Sequence, residues 1–377
     1  MILHIVPDDK FIDMAYNMFE KASPNNNEFM VVTNKEKFNY IKTTPITKVS
    51  RKKVLSKSFT QNLSKYEFVV LHTLNDISKR VILNSSDDVK FVWLGWGFDY
   101  YCYLDKKLLL DKTIILKEKL FQKNEFVGKG ILRKIKNFIK YNTIYKDVNN
   151  TEKVMNKINY FVPVLYEDYL LVQKEFKNFY PKYLDWNYGT LEEDLIKQDL
   201  NISGKNILLG NSASFENNHV EAIDLLSKLD LNARKIICPL SYGNKKYGQE
   251  VTNYAKYKFN DKFEPLIDFM PIEDYNKIIS SCSVVVMNHL RQQAVGNIVI
   301  MLYFGAKVFL NKENPVYEFF INNGAIVFNM EELTNESINK ELTEQEKQIN
   351  KKVIKKYWSK EIMLEKTKKL IEIMRKK

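Results

Sequence analysis

Short apolar runs alternate with longer amphipathic stretches over most of this chain, and that alternation sets its organisation. In the first half the β-rich runs are Ile2 to Val6, Phe29 to Thr33, Phe68 to His72 and Lys90 to Leu94. Between the first two, Phe11, Met14, Ala15 and Met18 recur at helical spacing and predict an amphipathic helix over Lys10 to Lys21. From about Tyr160 to Leu200 the texture becomes aromatic, proline-containing and weakly periodic, as in Tyr180-Pro181 and Trp186-Asn187-Tyr188-Gly189.

A second series then begins. Strands are expected at Asn206 to Leu209, Lys235 to Pro239, Phe263 to Leu266, Val284 to Met287, Lys307 to Leu310 and Ala325 to Phe328. Helices are expected at Asn218 to Leu229, Val251 to Lys258, Pro271 to Ser281 and Pro315 to Asn322. Strand and helix alternating in both halves predict two parallel-sheet α/β domains, over 1–190 and 200–342, with a cleft between them. The tail 343–377 is charged, poor in breakers and helical. It either crosses back onto the first domain or lies along its own.

Composition narrows this picture. A chain of 377 residues with 45% hydrophobic content can fill two cores. The formal charge of +12 favours an anionic partner, and nucleic acid, an acidic membrane surface and a phosphorylated substrate all fit that sign. Basic residues are interleaved with acids nearly everywhere except 129–140, and no nucleic-acid motif appears, which argues against nucleic acid. Cys102, Cys238 and Cys282 lie in or beside apolar runs, and His4, His72, His219 and His289 are scattered. Neither a disulfide framework nor a metal cluster is indicated, so a reducing compartment and no metal are expected. No apolar stretch approaches the roughly 20 residues of a spanning helix, and Met1 to Pro7 is too short for a signal-peptide core. The chain is therefore expected in the cytosol or peripherally on the inner face of a membrane.

The densest chemistry sits at expected strand ends of the second half. His289-Leu290-Arg291-Gln292-Gln293-Ala294-Val295-Gly296-Asn297 puts a guanidinium, two carboxamides and a glycine at a strand-to-helix junction, where a parallel sheet meets an oxygen-rich, anionic ligand. The plainer reading is a solvated arginine with glutamines that cap backbone groups. Gly210-Asn211-Ser212-Ala213-Ser214 offers backbone N–H groups and small donors after another strand, without the lysine ending of a Walker loop. It also reads as an ordinary helix cap. Tyr242, after Pro239, could stack on or cap a ring, and Asn311, Lys312 and Glu313, followed by Asn314-Pro315, could grip hydroxyls or phosphate. Four polar strand ends around one edge suggest a nucleotide-linked ligand.

In the first half, Asp99 lies among Trp93, Trp96, Phe98, Tyr100 and Tyr101. A carboxylate in such surroundings has a raised pKa and suits a base that takes a hydroxyl proton, or it caps the next helix. His72, ending its strand, is the second candidate base. Lys129 to Lys140 carries Arg133, Lys134, Lys136 and Lys140 beside Ile131, Ile135, Phe138 and Ile139. That is the pattern of a helix resting on anionic lipid, or of a helix packed on its own domain with a basic outer face.

Together these residues resemble glycosyltransferase family 56, the TDP-N-acetylfucosamine:lipid II N-acetylfucosaminyltransferases of bacterial surface-polysaccharide assembly. The resemblance rests on Gly210-Asn211-Ser212 with Asn218-His219, Pro239 with Tyr242, Arg291-Gln292-Gln293 with Gly296, and Asn311-Lys312-Glu313-Asn314-Pro315. In the first half it rests on Phe29-Met30-Val31-Val32, Trp93, Trp96-Gly97 and Asp99. It implies a GT-B architecture of two facing Rossmann-like domains, the C-terminal one holding a nucleotide-sugar donor and the N-terminal one a lipid-linked saccharide acceptor. It also implies that no bound metal is needed. The family's Gly-Ile-Gly-Thr type turn is here Ala294-Val295-Gly296-Asn297, which keeps only the second glycine. The competing readings are a non-enzymatic protein that binds an anion or nucleic acid, and a GT-B enzyme with soluble substrates.

Overall fold

The computed structural model describes residues 1–122 and 151–376. The expected basic helix with Arg133, Lys134, Lys136 and Lys140 lies outside the described residues. The described chain divides into two units. One comprises residues within Met1–Asp105, Ile131–Thr190 and Trp358–Lys377, the other residues within Lys106–Gly130 and Leu191–Tyr357.

In the first unit, strands β1 (Ile2–Val6), β2 (Asn27–Val32), β3 (Ile46–Val49), β4 (Val69–Leu71), β5 (Phe91–Leu94), β6 (Tyr160–Val162) and β7 (Lys182–Tyr183) form one sheet. Its order is β3-β2-β1-β4-β5-β6-β7, and every pairing among the described residues is parallel. β1, β4 and β5 are buried at every position, as expected where helices cover both faces and a strand has no wet side. At the edge, β3 exposes Thr47 and Lys48, and its pattern was correspondingly faint in the sequence. The weakly periodic stretch after 160 holds β6, β7 and the helix Tyr166–Glu175.

The second unit repeats the plan with β8 (Asn206–Leu209), β9 (Ile236–Pro239), β10 (Phe263–Leu266), β11 (Cys282–Met287), β12 (Lys307–Leu310) and β13 (Phe328–Asn329), in the order β10-β9-β8-β11-β12-β13 and all parallel. The expected strand from Ala325 is reduced to Phe328–Asn329. The expected helix from Val251 begins earlier, at Lys245, because the Asn244 side chain caps it through Tyr247 N–H. In each sheet the winding reverses once, between β1 and β4 and between β8 and β11. Such reversals open a crevice at the carboxyl ends of the flanking strands.

Two helices cross the boundaries expected from sequence. The helix Asp111–Gln122 belongs to the second unit, where Thr113 donates from N–H and hydroxyl to the Glu221 carboxylate at 2.9 and 2.6 Å, and Leu116 and Leu120 cover the core. Its amphipathic pattern does not say which core it covers. At the other end, Lys360–Arg375 returns to the first unit and buries Met363, Leu370, Ile371 and Met374 with Phe19 and Trp186, while Trp186 Nε1 donates to Thr367 Oγ1 at 2.8 Å. The tail is thus shared: Glu344–Trp358 ends at the boundary, with Asn350 Oδ1 accepting from Ile326 N–H in the second unit.

Glu67 fastens the returning helix through Arg375 Nε at 2.5 Å, and also accepts from Asn26 Nδ2 and the Met1 ammonium, both at 2.8 Å. Burial raises its carboxyl, but Arg375, the ammonium and Asn26 outweigh that and hold it at about 2. A carboxyl held below its unfolded value of 4.5 adds stability that is present above that pH and is lost as pH falls through about 2. Thermal melts of Glu67→Gln should therefore show a shallower loss between pH 4.5 and 2 than the parent; superimposable slopes would refute the assignment.

Candidate active site

At the second reversal, the turn after β8 meets the turn after β11. Gly210 sits at φ +65°, and a Cβ there would lie 2.6 Å from His219 Nε2 and 2.7 Å from Asn217 Oδ1, so only glycine turns the chain here. Asn211 N–H then donates to Asn217 Oδ1 at 2.9 Å, and Asn211 Nδ2 to the Tyr242 hydroxyl at 2.9 Å. From β11, His289 Nε2 reaches Asn217 Oδ1 at 2.9 Å and Asn211 Oδ1 at 3.2 Å. Gln293 Nε2 donates to Asn211 Oδ1 and Ser214 Oγ, each at 3.1 Å. Ser212 is fully buried and accepts from Asn217 Nδ2 at 3.3 Å.

The network extends sideways through amides. Asn218, at φ +49°, accepts from Leu110 N–H at 2.8 Å and donates to the Asn288 carbonyl at 3.1 Å; Asn288 Oδ1 accepts from Asn311 Nδ2 at 3.1 Å. The structure thus brings together Gly210, Asn211, Ser212, Tyr242, Gln293 and, one residue removed, Asn311. His219 is wholly buried, its Nδ1 3.2 Å from the Tyr247 hydroxyl, and burial holds its pKa at about 3, leaving the ring neutral.

Arg291 is half-buried, and its Nη1 donates to the Gln292 carbonyl at 2.8 Å just before the helix Val295–Phe304. Gln292 is itself buried. Ala294, where the family pattern has glycine, takes the left-handed φ of +61°. A side chain there is strained by about 1 kcal/mol, so Ala294→Gly should raise the melting temperature by about 2–4 °C; an unchanged or lowered value would show that the loop is not held in this conformation. Gly296 lies in the first helical turn, and a Cβ on it would meet only Leu195 Cδ2, at 3.8 Å.

Lys312 and Glu313 stand apart from this cluster. Both are exposed, and Lys312 pairs with Glu331 at 2.5 Å. Their charges are solvated, and neither charged group takes part in the network around Asn211. Asn314 is buried and caps the helix Pro315–Asn322 through Val316 N–H at 3.0 Å.

In the first unit, Asp99 ties two turns together. Its Oδ2 accepts from Leu74 N–H at 3.0 Å and Trp93 Nε1 at 2.8 Å, and its Oδ1 from Trp96 N–H at 2.8 Å. Burial raises its pKa against the pull of those donors. A carboxylate with its lone pairs directed at fixed N–H groups is an anchor, and the proton-accepting role expected of it is disfavoured. His72 is also wholly buried, between the Tyr188 hydroxyl at 2.8 Å and His4 Nδ1 at 3.0 Å. Burial and then His4 hold its pKa well below the usual value, which makes it a poor base.

The group that sequence reasoning missed is Asp9. It follows β1 at the first reversal, is half-buried, and accepts from Phe11 N–H at 3.2 Å through one oxygen. Burial raises its carboxyl above the ordinary range. Nearby, Phe11, Trp96 and Tyr188 form an aromatic set with ring centroids 5.5–5.6 Å apart. The available signal was an aspartate directly after the first strand. Among the described residues no group of three or more His, Cys, Asp or Glu could hold a metal ion, and no helix is long and apolar enough to cross a membrane.

Two doubly wound parallel sheets, with a polar network at the reversal of the second, make the GT-B fold. Solved structures share that fold over nearly the whole chain. Sucrose-phosphate synthase from Thermosynechococcus elongatus matches with TM-score 0.62 and 8% identity, covering 99% of this chain and 98% of that one. Anabaena HepE, solved with UDP and glucose, matches at 0.61 and 11%, with coverage of 99% and 98%. The lipopolysaccharide outer core galactosyltransferase WaaB matches at 0.61 and 9%, covering 99% of each. The chain belongs to the 4-alpha-L-fucosyltransferase family, glycosyl transferase group 56, whose model matches residues 168–372. It is accordingly a hexosyltransferase-type enzyme.

Proposed function

We propose that the enzyme moves a 4-acetamido-deoxy sugar from a TDP-linked donor to a hydroxyl of a polyprenyl-diphosphate-linked saccharide in surface-polysaccharide assembly, at the cytoplasmic face of the membrane. The observation that carries the donor half is the second reversal, where Arg291, the N-terminus of Val295–Phe304 and the Asn211 network converge. Gly296 adds to it: glycine in a helix costs up to about 1 kcal/mol relative to alanine, and no protein atom nearby requires it. A ligand approaching that backbone does. HepE, of the same fold, was solved with UDP-glucose.

In the reaction the acceptor hydroxyl attacks the anomeric carbon, the bond from that carbon to the diphosphate oxygen breaks, and the hydroxyl proton passes to a base. Asp9 is our candidate for that base, with the adjacent aromatic rings offering faces to a saccharide. The leaving diphosphate needs its charge offset, and Arg291 with the helix N-terminus supplies that without a metal. The lipid-linked acceptor and the membrane surface are supported by the family resemblance, the net charge of +12 and the basic stretch 129–140.

Thermal-shift measurements with TDP, UDP, GDP and CMP, in EDTA, test the donor half. A selective rise with TDP is expected. Response to no nucleotide would overturn the donor site, and response only after adding a divalent cation would overturn metal independence.

A further inference from the structure

A backbone N–H has no freedom of role, and at the second reversal one such group fixes the role of every side chain around it. Asn211 N–H donates to Asn217 Oδ1, so that atom is the amide oxygen and not the nitrogen. His289 Nε2 lies 2.9 Å from the same oxygen and therefore carries the ring proton. It also lies 3.2 Å from Asn211 Oδ1; the reverse orientation of Asn211 would set an amide N–H against the imidazole N–H. Gln293 Nε2 lies 3.1 Å from that Asn211 oxygen, and so Gln293 is fixed as well, its N–H group spent on Asn211 and Ser214.

Two atoms remain. His289 Nδ1 and Gln293 Oε1 are buried without a hydrogen-bond partner among the described residues, and both side chains hang on the one oxygen Asn211 Oδ1. By the assignment above, both remaining atoms are acceptors. Burial, then the charge of Arg291, holds the His289 pKa well below its usual value, so Nδ1 keeps its lone pair at neutral pH. Diphosphate oxygens carry only lone pairs and are repelled by such atoms. Hydroxyl and amide N–H groups are what satisfies them.

We infer that His289 Nδ1 and Gln293 Oε1 read the transferred sugar, accepting hydrogen bonds from its O–H or N–H donors, and are specificity determinants rather than phosphate contacts. This rests on the donor-site reading above. A site with buried acceptors rejects a substrate that lacks the matching donor more strongly than a pocket rejects a missing methylene, because the acceptors are then left unpaired. The phosphate-facing role stays with Arg291, which has only donors to offer.

Calorimetric titration with TDP, with TDP-hexoses and with the same TDP-hexoses carrying fluorine in place of single hydroxyls tests this, since fluorine cannot donate. The parent should lose about tenfold or more in affinity when one particular hydroxyl is replaced. Gln293→Met, which removes the acceptor, should lose most of that preference, and should lose more affinity for the TDP-hexose than for TDP. Equal binding of all fluorinated donors by the parent, or an equal loss of TDP and TDP-hexose affinity in Gln293→Met, would overturn the inference while leaving the donor site standing. Failure of the parent to bind TDP at all would overturn the donor-site reading, and the inference with it.

Discussion

Replacing Arg291 with alanine is expected to lower kcat by about two to three orders of magnitude while moving the melting temperature by no more than a degree or so. The side chain is half-buried at the amino end of Val295–Phe304, its Nη1 held by the Gln292 carbonyl at 2.8 Å. Charge develops on the diphosphate as its bond to the anomeric carbon breaks, so a fixed guanidinium interacts more strongly with the transition state than with the bound donor. That difference appears in kcat and not only in KM. Lysine should recover only part of the loss, because a point charge does not reproduce a planar fork of donors against phosphate oxygens. Steady-state kinetics decide it. An Arg291→Ala enzyme with parental kcat would remove the electrostatic account of the leaving group.

The candidate site was legible where a polar turn ends an apolar strand. β8 and β11 are apolar at their inner positions because each is covered on both faces, and the polar turn after each stands out against them. Gly210 and the Arg291-Gln292-Gln293 junction were visible for that reason. Asn217 was not, because an asparagine before a helix looks like a cap, and Asn218 was noticed only through the family resemblance. Only the fold shows Asn217 bonded to Asn211 and His289, and Asn218 reaching the Leu110 N–H and the Asn288 carbonyl. Lys312 and Glu313 drew notice as ionised side chains at a strand end, and the pairing of Lys312 with Glu331 was invisible to local pattern. The edge strands β3 and β7 escaped for the related reason that little of each is buried.

Asp99 and Asp9 were distinguishable only by their partners, and their variants should fail in different ways. Asp99→Ala removes the acceptor of Leu74 N–H, Trp93 Nε1 and Trp96 N–H at a site only 5% exposed. Leaving such donors unpaired costs about 1–3 kcal/mol each before water or rearrangement repairs part of it. A net loss of about 3 kcal/mol or more follows, which lowers the melting temperature of a unit this size by about 6–12 °C. Asp9→Asn keeps the shape and the oxygen that accepts from Phe11 N–H, so stability should hold. Without a carboxylate to take the acceptor proton, turnover should fall by about 10²–10⁴-fold. The pH dependence carries the sign. The Asp9 carboxyl is raised by burial and must be ionised to act, so parental kcat/KM should decline with acidification from a pH above the ordinary carboxylate range, and the residual activity of Asp9→Asn should lack that limb. A stable Asp99→Ala protein with no activity, beside a fully active Asp9→Asn, would return the base to Asp99.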